Sequence, residues 1–360
     1  MPFLKNVPGL ETIHRDFAPL GVDVLILYKS LTHPGTNGFV EPATLDERLR
    51  HIEITRERLG TTIPFLCDSM SNDIKHALDA APNAEFVVAP DGTILRKRFW
   101  HDPAALRPFL EGLVGPIAQP TSVADLDMVW ELPERRVERG IVPPLTDTRG
   151  GRPIHCQPIL GTGREGEPAY LKLVAEAQPE LLEEGIGSLY LGFHLDPIYG
   201  VHWNNAAGGL RWTIEAPDET DFDPVAGATP EYEHEADVDP REFLTELAAA
   251  PGSPLVVTAT YTVCDDAETF CSELEQRFTL TLEKDPDGGS RAGDWMTDLV
   301  GDPMQFDANG DGRVDHGELP KMRAMLILNH HDHNHDGVIT PDEADLFHEM
   351  IGIEKGERGR

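Results

Sequence analysis

The sequence predicts a multidomain chain of three segments: an α/β segment, an antiparallel β-sandwich and a short helical segment. Three observations carry that reading. Up to about Gly115 the pattern alternates helix and strand, from Tyr170 to Glu283 the apolar period becomes two, and near the C-terminus two twelve-residue runs repeat one scheme of oxygen-bearing side chains. A length of 360 residues suggests two or three domains, and 40% hydrophobic content suffices for ordinary cores. The boundaries expected are 1–115, a linker over 116–150, 151–290, and 291–355.

In the first segment Val22 to Tyr28 (VDVLILY) reads as a buried strand. Thr44 with Glu47 forms a capping box, opening a helix whose core side carries Leu45, Leu49, Ile52 and Leu59 and which Gly60 stops. Phe65 to Cys67 is a short strand and Asn72 to Ala80 a helix. Glu85 to Ala89 and Thr93 to Phe99 form a hairpin about Pro90-Asp91-Gly92, and Asp102-Pro103 caps a last helix to Val114. Strand, helix, hairpin and helix in that order match the second half of a thioredoxin-like fold, so an incomplete thioredoxin-like fold is expected. Cys67, at the end of a buried strand, reads as an apolar filler.

Leu27-Tyr28, Thr32-His33-Pro34, Gly38-Phe39, an Arg-rich helix, Asp68-Ser69-Met70-Ser71-Asn72, and Pro82 before VVAPDG follow one another in this segment. With these residues the stretch from 1 to about 115 resembles the iodothyronine deiodinase family and its bacterial relatives. The resemblance implies that His33 serves substrate binding or proton transfer; the alternative is a loop histidine without chemistry. It implies that Pro82 is a cis-proline beside an active thiol, the alternative being an ordinary helix-terminating proline. In that family a selenocysteine or cysteine nucleophile precedes Pro-Pro-Phe. Here the run is Met1-Pro2-Phe3, no Cys occupies that place, and Leu31 stands where the family has an acidic residue. The family's strand leading into the nucleophile is the centre of its sheet, so either another segment fills the gap or the sequence begins after strand and active site.

Residues 116 to about 150, rich in Pro, Arg and Glu, read as a linker. Beyond it Tyr170 to Ala175, Ser188 to Leu195, Leu210 to Ile214, Leu255 to Val263 and Arg277 to Glu283 are candidate strands, and Val257, Ala259, Tyr261 and Val263 alternate with polar neighbours. An acidic insertion over 215–241 interrupts them. From Glu215 to Asp239 it holds ten Asp or Glu and no Lys or Arg, which reads as a solvated, mobile excursion. LYLGFHL, Trp203-Asn204, TYTVCDDAETFC and RFTLTLE, in that order, look like the N-terminal domain of DsbD-type thiol:disulfide interchange proteins. The resemblance implies a redox-active pair at Cys264 and Cys271. Six residues separate them and Ser272-Glu273 replaces the usual aromatic-proline, so a structural disulfide and two free thiols remain open.

In DANGDGRVDHGE the oxygens fall at Asp307, Asn309, Asp311 and Asp315, with the carbonyl of Arg313 and a closing Glu318. DHNHDGVITPDE repeats this with Asp332, Asn334, Asp336, the carbonyl of Val338, Thr340 and Glu343, and Gly312 and Gly337 stand at the sharp turns. This resembles the EF-hand family at every ligand position and implies two bound Ca2+ ions, hard cations that take six to eight oxygens each. Only Leu319 to His331 separates the loops, so one helix serves both, with an apolar stripe of Leu319, Met322 and Leu326; Leu346, Phe347 and Met350 give the last helix the same. His330, His331, His333 and His335 overlap the second loop and read as a solvated surface rather than a transition-metal site.

Sixty-three acidic against 30 basic residues give a formal charge of −33, which repels nucleic acid and anionic membranes. No run of eighteen apolar residues offers a membrane span, and MPFLKNVPGLETIHRDF lacks the long apolar stretch of a signal peptide. Taken from Met1 the chain is cytoplasmic; the paired cysteines and calcium loops favour an extracytoplasmic place, periplasm or cell envelope, with a leader upstream. Three functions follow: an extracytoplasmic thiol-disulfide oxidoreductase with a protein thiol or disulfide as partner, a non-catalytic calcium-dependent interaction protein, or a true deiodinase.

Overall fold

The computed structural model describes residues 2–32, 34–35, 39–78, 83–98, 100–126, 128, 140–145, 151–160, 168–216, 222–247, 254–267, 269–289, 303–319, 327–328, 331 and 337–344. The chain divides into two compact units, Met1–Arg291 and Ala292–Arg360. The first unit is mixed α/β, with few helices and a curled, mostly antiparallel sheet.

Helix α1 (Pro2–Phe17) repeats apolar residues at three- and four-residue spacing, which puts Leu10, Ile13 and Phe17 on one buried stripe. They pack with Ile26, Ile63, Leu106 and Leu110 into a small core. Strand β1 (Ile26–Tyr28) pairs in parallel with β2 (Phe65–Cys67), Ile26 opposite Phe65. β1 is shorter than the VDVLILY run because its partner offers only three residues. Between these strands α2 (Leu45–Leu59) is capped as its sequence dictates: the Thr44 hydroxyl accepts from the Glu47 N–H, and Gly60 ends the helix at φ +59°. After α3 (Asp73–Leu78), strands β3 (Glu85–Val88) and β4 (Ile94–Arg98) form the expected hairpin, and Asp102 caps α4 (Pro103–Val114) through the N–H groups of Ala104 and Ala105. Among the described residues β1–β2 and β3–β4 are separate two-stranded sheets.

The face of α2 departs from expectation. Leu45 and Leu49 are 46% and 42% exposed, whereas Glu47, Arg48 and His51 are buried beside Ile52 and Leu59. A helix turns about 100° per residue, so Glu47 lies roughly opposite Leu45. The polar side is the buried one because its partners come from distant parts of the unit.

The large sheet begins with β5 (Arg152–Pro158), β6 (Leu171–Ala177) and, after α5 (Pro179–Glu184), β7 (Gly187–Leu195). β8 (Val201–Asn204), β9 (Arg211–Glu215), β10 (Phe222–Asp223), β11 (Ala226–Ala228), β12 (Ala236–Asp237) and β13 (Arg241–Leu247) follow, and β14 (Leu255–Asp265) and β15 (Cys271–Lys284) complete it. Its main path runs β10-β13-β7-β6-β5-β15-β14-β8-β12, with β9 joining β14 to β11. β5 is the corner: Arg152 and Pro153 pair with β6 and Ile154 to Pro158 with β15, so the sheet curls and both halves cover one core. Leu173, Leu191 and Phe193 from one half meet Trp203, Trp212, Val257, Tyr261 and Phe278 from the other.

The insertion read as mobile and the stretch read as a linker are both tied down. Within the acidic insertion β10, β11 and β12 pair with β13, β9 and β8, and Asp237 is buried with Arg241 on both of its oxygens, at 2.9 and 2.8 Å. Residues 217–221 of it lie outside the described residues. In the linker Thr121 bonds to Asp16, and the N–H groups of Gly140, Ile141 and Val142 donate to Asp239. Position 82, the proposed cis-proline, is outside the described residues.

Glu11 of α1 is fully buried. Burial alone would raise its carboxyl, but hydrogen bonds from Thr62 and Thr61 and the contact with Arg15 outweigh it and hold the group below its ordinary 4.5. A depressed carboxylate contributes stability that is complete above the ordinary value and lost as the pH falls through the depressed one. Glu11→Gln is expected to cost about 2 kcal/mol at neutral pH and to flatten the acid limb of a urea-denaturation profile; an unchanged acid limb would refute this account.

Candidate metal centre and disulfide hairpin

The loop Asp307–Glu318 closes on itself through its own carboxylates. Glu318 accepts from the N–H groups of Ala308 and Asn309 on one oxygen and of Asp315 on the other, each at 3.1 Å, so the last side chain reaches back to the loop's start. Asp307 accepts from Gly310 at 2.8 Å and Gly312 at 2.9 Å, Asn309 from Asp311, Asp311 from Arg313, and Asp315 from Gly317. Each of the five side chains named as a ligand thus accepts at least one N–H of the loop itself, while Asn309, Asp311 and Asp315 stay exposed. Gly310 and Gly312, at φ +75° and +77°, take the left-handed turns that let the chain wrap. The donor set is hard oxygen throughout, which fits Ca2+ and no softer metal.

In the second loop the described part is 337–344. Gly337 adopts φ +87°, and the Thr340 N–H and hydroxyl donate to Glu343 at 3.0 and 2.8 Å. Asp332, Asn334 and Asp336 lie outside the described residues, as do His330, His333 and His335; His331 is buried. Strands β16 (Val314–Asp315) and β17 (Val338–Ile339) pair antiparallel, Val314 opposite Ile339, so the two loops share a short ladder. Val314, Leu319, Ile327, Ile339 and Ala344 form the core beneath it. The model of the EF hand family matches residues 304–322. That stretch contains the whole first loop. No curated protein matches the chain.

Cys264 and Cys271 form a disulfide, as opposed residues at the turn end of the β14–β15 ladder. Of the three states left open by the sequence, the structure holds the bonded one. Cys271 is exposed and Cys264 half-buried. The Asn204 side-chain amide donates to both sulfurs, 3.2 Å to Cys271 and 3.4 Å to Cys264, and His202 Nδ1 lies 3.1 Å from Asp266 Oδ1. His33 lies outside the described residues. Cys67 is half-buried, and burial pushes its thiol up, the opposite of what a nucleophile needs.

Sequence reasoning missed a third cluster, where α2 meets the large sheet. Lys172 Nζ lies 2.7 Å from Glu47 Oε1 and 3.5 Å from Asp196 Oδ2, and the Tyr199 hydroxyl donates to Glu47 at 2.6 Å. Glu47, Lys172 and Asp196 are all buried. His51 accepts or donates to the Tyr28 hydroxyl at 2.8 Å, and burial drives its pKa down to about 4, so it is neutral at pH 7. Nothing local could reveal this: Lys172 sits inside an apolar strand, 125 residues from Glu47. Removing one member of a buried pair leaves the other charge uncompensated. Lys172→Met is therefore expected to destabilise the first unit by about 3–5 kcal/mol, with Glu47→Gln added to it recovering part of the loss. A double variant no more stable than Lys172→Met alone in denaturant titrations would refute the coupling.

Proposed function

We propose that this protein binds calcium through two EF-hand loops, Asp307–Glu318 and Asp332–Glu343, and that the ions brace the second unit. One observation carries the reading: Glu318 is bonded back to the loop's first residues, which closes the loop end to end. The family match over 304–322 supports the first site. The second rests on the repeated ligand pattern and on the β16–β17 ladder, which sets the described half of that loop against the first. Of the first unit we propose that it is the β-sandwich and incomplete thioredoxin-like fold of an extracytoplasmic thiol-disulfide protein, in the periplasm or cell envelope, with a protein thiol or disulfide as partner. What favours this over a purely structural disulfide is the amide held on both sulfurs of a pair whose Cys271 is exposed. A non-catalytic, calcium-dependent interaction protein is the competing reading. Deiodination has no supporting observation among the described residues, since His33 is outside them.

Calorimetric titration tests the metal reading. Two calcium ions per chain are expected. Glu318→Gln and Glu343→Gln should each weaken one site on the order of a hundredfold, because affinity follows ligand charge and number, and together they should abolish binding. Unchanged heats in the double variant would overturn it.

A further inference from the structure

The hairpin disulfide is set among polar groups that packing does not require. Cys264 stands opposite Cys271 on β15 and opposite His202 on β8. Directly opposed residues share a face and hold their Cβ atoms about 4.5–5.5 Å apart, so His202, Cys264 and Cys271 form one row across three strands. Asn204, two residues beyond His202, points to the same face. The Asn204 carboxamide oxygen accepts from the Ala207 N–H at 3.1 Å, which fixes the orientation of the group and leaves its NH2 on the two sulfurs. Asp266 holds His202 through Nδ1, leaving Nε2 for proton exchange.

A sulfur within a disulfide is a weak acceptor and gains little from an amide donor, whereas a thiolate gains much. The surroundings make that donor matter. Asp265 follows Cys264 directly, and N–H and hydroxyl donors from Phe270 and Thr269 keep its carboxyl below the ordinary range; Asp266 comes next, and Glu273, two residues from Cys271, is paired with Arg211 at 2.6 Å. These carboxylates oppose negative charge on Cys264. Among the described residues, the Asn204 amide on both sulfurs and the His202 imidazole in their row favour it.

Resting on the thiol-disulfide reading above, we propose that an external protein dithiol attacks the exposed Cys271, and that Asn204 and the His202–Asp266 pair receive the thiolate this releases at Cys264. The attacking thiolate forms a mixed disulfide with Cys271 as the Cys264–Cys271 bond breaks, and the bonding pair leaves on Cys264. His202 gives that sulfur a proton and regains one from solvent. The partner's second thiolate then attacks its own sulfur in the mixed disulfide, closing the partner's disulfide and expelling the Cys271 thiolate, which is protonated in turn. Two electrons and two protons pass from the partner dithiol to the hairpin.

The test uses the full chain with dithiothreitol as the dithiol. Reduction rates, corrected for the ionisation of dithiothreitol itself, are followed from about pH 5 to about pH 9, and the thiols of the reduced protein are titrated by thiolate absorbance. Asn204→Asp keeps the oxygen that caps Ala207 and turns the donor into an acceptor. It is expected to raise the Cys264 thiol pKa and to slow reduction about tenfold, since a better leaving thiol leaves faster. His202→Gln, which cannot pass a proton to the leaving sulfur, should slow reduction as well, with the circular dichroism of both variants unchanged. Wild-type rates and wild-type thiol titrations in both variants would overturn the assignment while leaving the pair redox-active. A disulfide that stays oxidised in dithiothreitol and in every glutathione ratio would overturn the thiol-disulfide reading itself.

Discussion

The ladder between β14 and β15 is the constraint on which the first unit depends. Ten consecutive pairs run from Leu255 opposite Leu280 to Cys264 opposite Cys271. Because side chains alternate, this one register sends Leu255, Val257, Ala259, Tyr261 and Val263 into the core together. A slip of one residue would bury the intervening threonines and separate the cysteines. The other edge of β14 is shared, Val256 to Thr260 pairing with β9 and Val263 to Asp265 with β8. The same register therefore brings His202 beside Cys264. Gln276 on β15 is buried, accepting from the Leu171 N–H and donating to its carbonyl, and so ties the ladder to β6.

What could be read from the sequence is what is decided locally. The caps at Thr44 and Asp102, the hairpin about Asp91-Gly92 and the alternation in β14 depend on neighbours a few residues away, and they stand where the pattern puts them. The loop Asp307–Glu318 is the extreme case, since all the ligands proposed for it fall within twelve residues and its folded-back carboxylates bond to its own N–H groups. Strand β13 went unread because REFLTEL mixes charge into its alternation; Arg241 is buried only because Asp237 is there to meet it. Composition was right that Glu215, Asp223, Glu231, Glu233 and Glu235 of the acidic insertion are exposed, and misled over Asp237 and Asp239 for the same reason. A run of carboxylates reads as solvated until the cation that buries one of them is known.

The orientation of α2 could be read only in part, since Ile52 and Leu59 are buried as expected and Leu45 and Leu49 are not, and the cause is electrostatic. Leu45 and Leu49 are already more than half covered, so turning the helix to bury them would gain only about 1 kcal/mol for each side chain. It would also withdraw Glu47 from Lys172 and leave an ammonium buried in the sheet, a penalty of several kcal/mol. The second term is the larger, so the leucines stay outside. A buried pair of this kind adds little net stability over apolar packing but specifies one arrangement among several.

Two carboxylates share Lys172, and their surroundings drive them apart. Burial would raise Glu47, yet Lys172, Tyr199 and the Ala43 N–H together hold it below its ordinary value. Burial raises Asp196 to about 6 despite Lys172, because Asp196 lacks comparable donors and feels the charge of Glu47. As the pH falls Asp196 therefore takes a proton first, while Glu47 keeps its charge on Lys172. The contact between α2 and the sheet survives mild acidification for that reason: the proton goes to the carboxylate that the ammonium needs less.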